Sequence, residues 1–125
     1  MFHNIDPRSP IPLYVQIASR LRVAIATGEI APVMPLPSVR QLAGEIRVNP
    51  ATVVQAYRDL ERDGLVESRQ GAGTFVRDLP EPRRASERQR EARRLVRALV
   101  AEASGLGITQ AELEQAWQSE TGGQR

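Results

Sequence analysis

The sequence predicts a mainly α fold carrying a small β-hairpin: a winged helix-turn-helix followed by a two-helix C-terminal segment. Three observations predict it. Apolar residues recur at helical spacing in stretches that proline or glycine interrupts. Two of those stretches meet at "RVNPAT", residues 47–52, where Asn-Pro is itself a helix start. Farther on, "LVES" and "TFVR" read as two short strands around the glycines of "RQGAG".

The elements follow in order. After a loose "NIDPRSPI", Pro12 fits a first-turn position, and Tyr14, Ile17, Ala18, Leu21, Ala24 and Ile25 form an amphipathic stripe that Gly28 ends. "APVMPLPS" cannot continue a helix. Ser38 is a good N-cap for a short second helix with Val39, Leu42, Ala43 and Ile46 on its core face. "RVN" is then a tight turn. Asn49 caps the third helix and Pro50 takes its first position, where a missing N–H has no consequence. Val53, Ala56, Tyr57 and Leu60 make the buried stripe, and Gly64 is a natural stop. Ala51, Thr52, Val54, Gln55 and Arg58 are left on the opposite face.

Residues 1–77 thus form the winged helix-turn-helix and residues 78–86, "DLPEPRRAS", read as a linker. Residues 87–125 form a helical tail. Ser86 with Gln89 reads as a capping box, after which Ala92, Leu95, Val96, Leu99, Val100 and Ala103 line one face. "SGLG" breaks that helix. Thr109 with Glu112 opens a last one bearing Leu113, Ala116 and Trp117, and "TGGQR" reads as frayed.

Composition excludes several function classes. With 125 residues there is room for one small core and an appendage. The absence of cysteine removes disulfide frameworks and thiolate metal sites, and the sequence offers neither a membrane span nor a signal peptide, so a cytoplasmic location is expected. His3 is the only histidine, which argues against a His-based metal cluster or catalytic relay; "GAG" is too short for a nucleotide loop. The expectation is a non-enzyme with no cofactor and no metal. Net charge is only +2, and all 17 basic residues are arginine. The excess lies in residues 1–77, with nine arginines against seven acids; residues 78–125 hold eight of each.

"PLYVQIASRLRVAIATGEI" and "LPSVRQLAGEIRVNPATVVQAYRDLERDGLVESRQGAGTFV" resemble the DNA-binding domain of the GntR family of bacterial transcription regulators, over residues 10–77. "REARRLVRALVAEASGLGITQAELEQAW" is similar to the short two-helix tail of the YtrA-type subfamily. Larger relatives carry a ligand-binding or aminotransferase-like domain there, for which this sequence has no room. The resemblance implies that the third helix enters the major groove by its N-terminal end, with unpaired backbone N–H groups and exposed side chains meeting DNA. Thr52 and Gln55 then hydrogen-bond base edges or phosphate, and Ala51 and Val54, expected to be exposed, contact thymine methyl groups. Arg40, two residues past the Ser38 cap, matches a family position that grips the backbone. Asn49, Arg58 and Arg69 are further candidates, and Gln70, Gly71 and Gly73 match the wing tip that reaches toward the minor groove.

Departures from the family pattern fall at Arg47 and Val33, where relatives commonly carry glycine, and at Ala51, where they often carry a polar residue. Arg47 is expected to be left-handed and to reach a phosphate, the alternative being an ordinary negative φ with the side chain in solvent and the turn rearranged around it. The reading that follows is a homodimeric repressor of double-stranded DNA, paired through Ala92, Leu95, Val96, Leu99, Val100, Ala103, Leu113 and Trp117. The alternative is a winged-helix adaptor that binds protein and not DNA. No residue pattern points to a particular small-molecule effector.

Overall fold

The computed structural model describes Phe2 and residues 5–122; His3 and the last three residues of the tail lie outside them. Helix α1 (Leu13–Thr27) begins one residue after Pro12 and ends at Gly28, whose φ of 84° glycine adopts without steric cost. Helix α2 (Val39–Ile46) is capped by Ser38, whose Oγ accepts from the Gln41 N–H at 3.1 Å. Helix α3 (Pro50–Arg62) starts as expected, with Asn49 capping and Pro50 in the first turn. Strands β1 (Val66–Arg69) and β2 (Gly73–Val76) form the antiparallel hairpin, with Val66 opposite Val76 and Arg69 opposite Gly73. Both lie within a residue of their expected positions.

The core sits between α1, α2, α3 and the base of the hairpin. Ile17 and Leu21 of α1 meet Leu42 of α2, Val53, Ala56 and Leu60 of α3, and Leu65 and Val66. Each large side chain fully withdrawn from water here stabilises by about 1.5–3 kcal/mol. The proline-rich stretch after α1 also has a place in the fold. Val33 N–H donates to the Val76 carbonyl at 2.9 Å, and Leu36 N–H to the Thr74 carbonyl at 2.8 Å, laying residues 33–36 along β2. Val33 reaches that register with φ of 72°. A β-branched residue is a true outlier there, and the position is one where glycine was expected.

Two stretches read as loose are ordered. Phe2 and Ile5 pack against the core, and the Gln16 amide clamps Asp6 from both sides, accepting from its N–H at 2.8 Å and donating to its carbonyl at 2.9 Å. The larger difference is the expected linker. Helix α4 runs from Glu81 to Gly105, so residues 81–86 are helical and Ser86 is an interior residue, not a cap. Pro82 is tolerated because it falls in the first turn, where no intrahelical N–H bond is lost. The charges read as linker, Glu81, Arg83 and Arg84, form ion pairs along the helix among themselves and with the next turn: Arg84 with Glu81 at 3.0 Å, Arg88 with Glu81 at 2.7 Å, and Arg83 with Glu87 at 3.1 Å.

Those first two turns of α4 are clasped to the winged helix. Glu87 is only 7% exposed and faces Arg22 of α1 at 3.8 Å; Arg22 in turn bonds Asp63 at the end of α3. Arg83 donates to the Asp63 carbonyl at 2.7 Å and Arg88 to the Ala26 carbonyl of α1 at 2.9 Å. The chain accordingly divides into two compact units, residues 1–88 and 89–125, with the boundary inside α4.

In the second unit α5 (Gln110–Glu120) opens on the expected capping box. Thr109 N–H donates to the Glu112 carboxylate at 2.9 Å while the Thr109 hydroxyl accepts from the Glu112 N–H at 3.1 Å. The backbone bond, then the side-chain bond, from Thr109 holds the Glu112 carboxyl below the usual range. This cap is therefore intact above the ordinary carboxylate pKa and fails as pH falls through the lowered one. Ala103, expected on the dimer stripe, is buried within its own unit, where the Ile108 N–H bonds its carbonyl at 2.9 Å.

The clasp predicts that Glu87→Gln, which keeps the shape but removes the charge facing two guanidinium groups, lowers unfolding free energy by about 1–3 kcal/mol. Urea denaturation of the full chain measures it. An unchanged midpoint would show that Glu87 contributes nothing to holding the two turns in place.

Candidate nucleic-acid interface

Helix α3 is buried along one face and open along the other. Val53 and Ala56 have no measurable exposure and Tyr57 only 6%, whereas Ala51 and Arg58 are exposed and Thr52, Val54 and Gln55 half-buried. Ala51, Gln55 and Arg58 recur at i, i+4 and i+7 and so share a strip opposite the core. Val54 is less open than expected, so exposure of a lone valine no longer argues for a base contact. Gln55 donates to Asp59 at 3.3 Å, a long bond that leaves its carbonyl oxygen available.

The backbone donors are not where they were expected. Pro50 has no N–H, the Ala51 N–H is taken by Asn49 Oδ1 at 2.8 Å, and the Thr52 N–H by the Asn49 carbonyl at 2.9 Å. The first turn of α3 thus offers no free amide to a phosphate. Helix α2 does. Ser38 satisfies the Gln41 N–H, while the Val39 and Arg40 amides have no partner among the described residues. The exposed Arg40 side chain emerges from the same turn, again without an ion-pair partner among the described residues. Amide dipoles and a guanidinium together make a phosphate cradle.

A single hydrogen bond keeps that cradle beside α3. The buried Tyr57 hydroxyl donates to the Pro37 carbonyl at 2.7 Å, immediately before the Ser38 cap. Burial, and then the Glu45 charge, raise the Tyr57 pKa well above its ordinary value, so the phenol stays a donor across the physiological range.

Arg47 has φ of 58° and ψ of 53°, left-handed as expected, and is exposed with no ion pair among the described residues. Arg69 is differently placed. It pairs with Glu67 at 2.9 Å and lies over the Phe75 ring at 4.4 Å, so in the free protein it braces the hairpin. At the wing tip Gln70 is exposed between Arg69 and Gly71, whose φ is 77°, and Gly73 has φ of 120°. Both glycines are required by the three-residue turn itself. Ser38 and Asn49 serve as caps, so any contact they make with DNA is additional to that role.

Comparison with known proteins places this geometry. Residues 13–76 match the family described as bacterial regulatory proteins, gntR family. The HTH-type transcriptional repressor YtrA of Bacillus subtilis is 45% identical over 73 residues, 58% of this chain and 56% of the repressor, so the match spans little more than half of that relative's length. The uncharacterized HTH-type transcriptional regulator YhcF of the same organism is 35% identical over 107 residues, covering 85% of this chain and 87% of its own. Among solved structures, a GntR family transcriptional regulator from Listeria monocytogenes superposes with a TM-score of 0.71 at 30% identity, over 92% of this chain and 97% of the other. The DNA-binding domain of AraR, in complex with operator ORX1, superposes at 0.53 and 34% identity, over 57% of this chain and 88% of that one.

The two left-handed side chains give a paired expectation. Relief of about 1–2 kcal/mol of backbone strain exceeds the 0.4–1 kcal/mol by which glycine loosens the unfolded chain, so roughly both Val33→Gly and Arg47→Gly raise the melting temperature. Only Arg47→Gly should also weaken DNA binding and reduce the salt slope, by about one unit per protomer. Calorimetry with salt-dependent binding on the two variants checks this. A salt slope unaffected by Arg47→Gly removes the phosphate role.

Proposed function

Because the chain belongs to the GntR family of bacterial regulatory proteins, we propose that it is a cytoplasmic transcriptional regulator. It acts as a repressor, binding an inverted-repeat operator in double-stranded DNA as a homodimer. The observation that carries this reading is the open face of α3 next to a phosphate cradle: two free amides and Arg40 on α2, with Arg47 and Arg58 free of ion pairs among the described residues. The likeness to a domain solved on its operator supports it. In this reading Thr52 and Gln55 read base edges, with Ala51 and Val54 against thymine methyls. Ser38, Arg40, Arg47, Asn49 and Arg58 face the backbone, while Arg69, Gln70, Gly71 and Gly73 form the wing.

The homodimer is supported by apolar surface that the second unit leaves in water. Leu95 and Val96 are each 56% exposed, Leu99 is 45% and Trp117 58%; Val96, Leu99 and Trp117 border, with Val100 and Leu113, a groove of about 530 Å³ between α4 and α5. Ala92 extends the same stripe. A two-fold axis covers one such patch with its copy and so removes both from water at once. Ala103, already buried in its own chain, takes no part.

Selection from random DNA should recover an inverted repeat with half-sites about one helical turn, roughly 10 bp, apart or a multiple of that. Thr52→Ala and Gln55→Ala should shift the preferred sequence. Arg40→Ala should weaken all sequences alike and reduce the salt slope by about one unit per protomer. Recovery of no sequence, or binding to protein partners that ignores salt, points to a winged-helix adaptor instead.

Leu95→Glu combined with Leu99→Glu should convert the dimer to a folded monomer and weaken operator binding at least tenfold, roughly the loss of joining two half-sites. Sedimentation at micromolar concentration together with circular dichroism reads both properties. A dimer that persists in this variant excludes the α4 stripe as its interface.

A further inference from the structure

Seven arginines lie on α4 between Arg83 and Arg97, against two glutamates in the same span. They fall into two groups. Arg83, Arg84, Arg88 and Arg94 each pair with Glu81, Glu87 or Glu91 of the same helix. Arg90, Arg93 and Arg97 are exposed and have no ion-pair partner among the described residues. At i, i+3 and i+7 these three share one face of the helix; Leu95 and Leu99 lie across from it, while Val96 and Val100, three and seven residues after Arg93, flank it. Like charges at this spacing repel each other along a helix. Glutamates placed among them would relieve that repulsion, as Glu91 does for Arg94. The remaining acids of the second unit are instead at Glu102 and beyond.

A face of this kind fits a polyanion whose charges are regularly spaced. We propose that Arg90, Arg93 and Arg97 bind the DNA phosphate backbone outside the segment read by α3, so that the tail adds sequence-independent affinity to the operator complex. The inference rests on the DNA-binding reading above and deepens it. Guanidinium groups suit the task because each presents a planar fork to phosphate oxygens. Arg90 and Arg97 remain open when Leu95 and Leu99 are covered by a second copy, since those pairs lie on opposite sides of α4, and Arg93 borders the covered stripe beside Val96 and Val100. One helix therefore presents a surface for pairing and another for phosphate.

The experiment compares the full-length protein with R90Q/R93Q/R97Q, which keeps good helix formers at all three positions. Binding is measured against salt on two duplexes bearing the selected operator, one trimmed to the inverted repeat and one with long random flanks. Sedimentation checks that both proteins have the same oligomeric state. Each phosphate contact adds about 0.9 to the slope. The wild type should show a steeper slope on the long duplex than on the trimmed one, and the variant should lose about two units or more on the long duplex alone. Replacing the three residues by lysine should restore most of the slope. Equal slopes for wild type and variant on the long duplex overturn the proposal, and so does an equal fall on both duplexes. Failure of the wild type to bind either duplex overturns the DNA-binding reading itself, and this inference with it.

Discussion

Helix α3 must be held by one face only, and the rest of the first unit is organised by that constraint. Val53, Ala56, Tyr57 and Leu60 fix it against α1, α2 and the hairpin base, which leaves the Ala51, Gln55 and Arg58 strip on the side away from that core. A helix anchored this way presents a rigid surface, because rotation about its axis would expose buried leucine and valine. The Tyr57 hydroxyl extends the same anchoring into polar contact, tying α3 to Pro37. The orientation of the α2 amides thus depends on the packing of α3.

Hydrogen-bond accounting decides which groups remain for a ligand. Asn49 and Pro50 leave α3 with a closed first turn, whereas Ser38 covers only one of the early α2 amides. The N-terminus suited to a phosphate is therefore the one on the shorter helix. A cap residue strong enough to start a helix beside a proline also consumes the donors that an anion would use. The same accounting separates the arginines. Those that brace the fold, such as Arg22 and Arg83, are held by carboxylates and carbonyls, and those without such partners lie on open faces.

The clasp around Glu87 gives α4 two roles in one helix. Its first two turns are bonded to the ends of α1 and α3, and its later turns belong to the second unit. Buried ion pairs contribute less to stability than apolar packing of equal volume but are strict about geometry. The clasp therefore fixes the placement of those first two turns more than it adds to the core.

Sequence alone determined the architecture: periodic stripes, the Ser38, Asn49 and Thr109 caps, the Gly28 stop and the glycine-bearing hairpin are local signals, and each reappears where its residues required it. The left-handed turn at Arg47 was also legible, because a helix-turn-helix at that spacing demands positive φ whatever residue occupies it. Tertiary structure decided the remainder. "DLPEPRRAS" has the composition of a linker, and only the contact of Arg83 with Asp63, beside those of Glu87 and Arg88 just after it with Arg22 and Ala26, makes it the start of α4. Likewise, Arg69 and Arg40 are equivalent as letters, and what separates them is Glu67 on the same strand and Phe75 across the hairpin. Local propensity can specify an element and its ends. Which charges remain free is set by contacts that local propensity does not specify, some between neighbours along a helix or strand and some, as at Arg22, between residues distant in the chain.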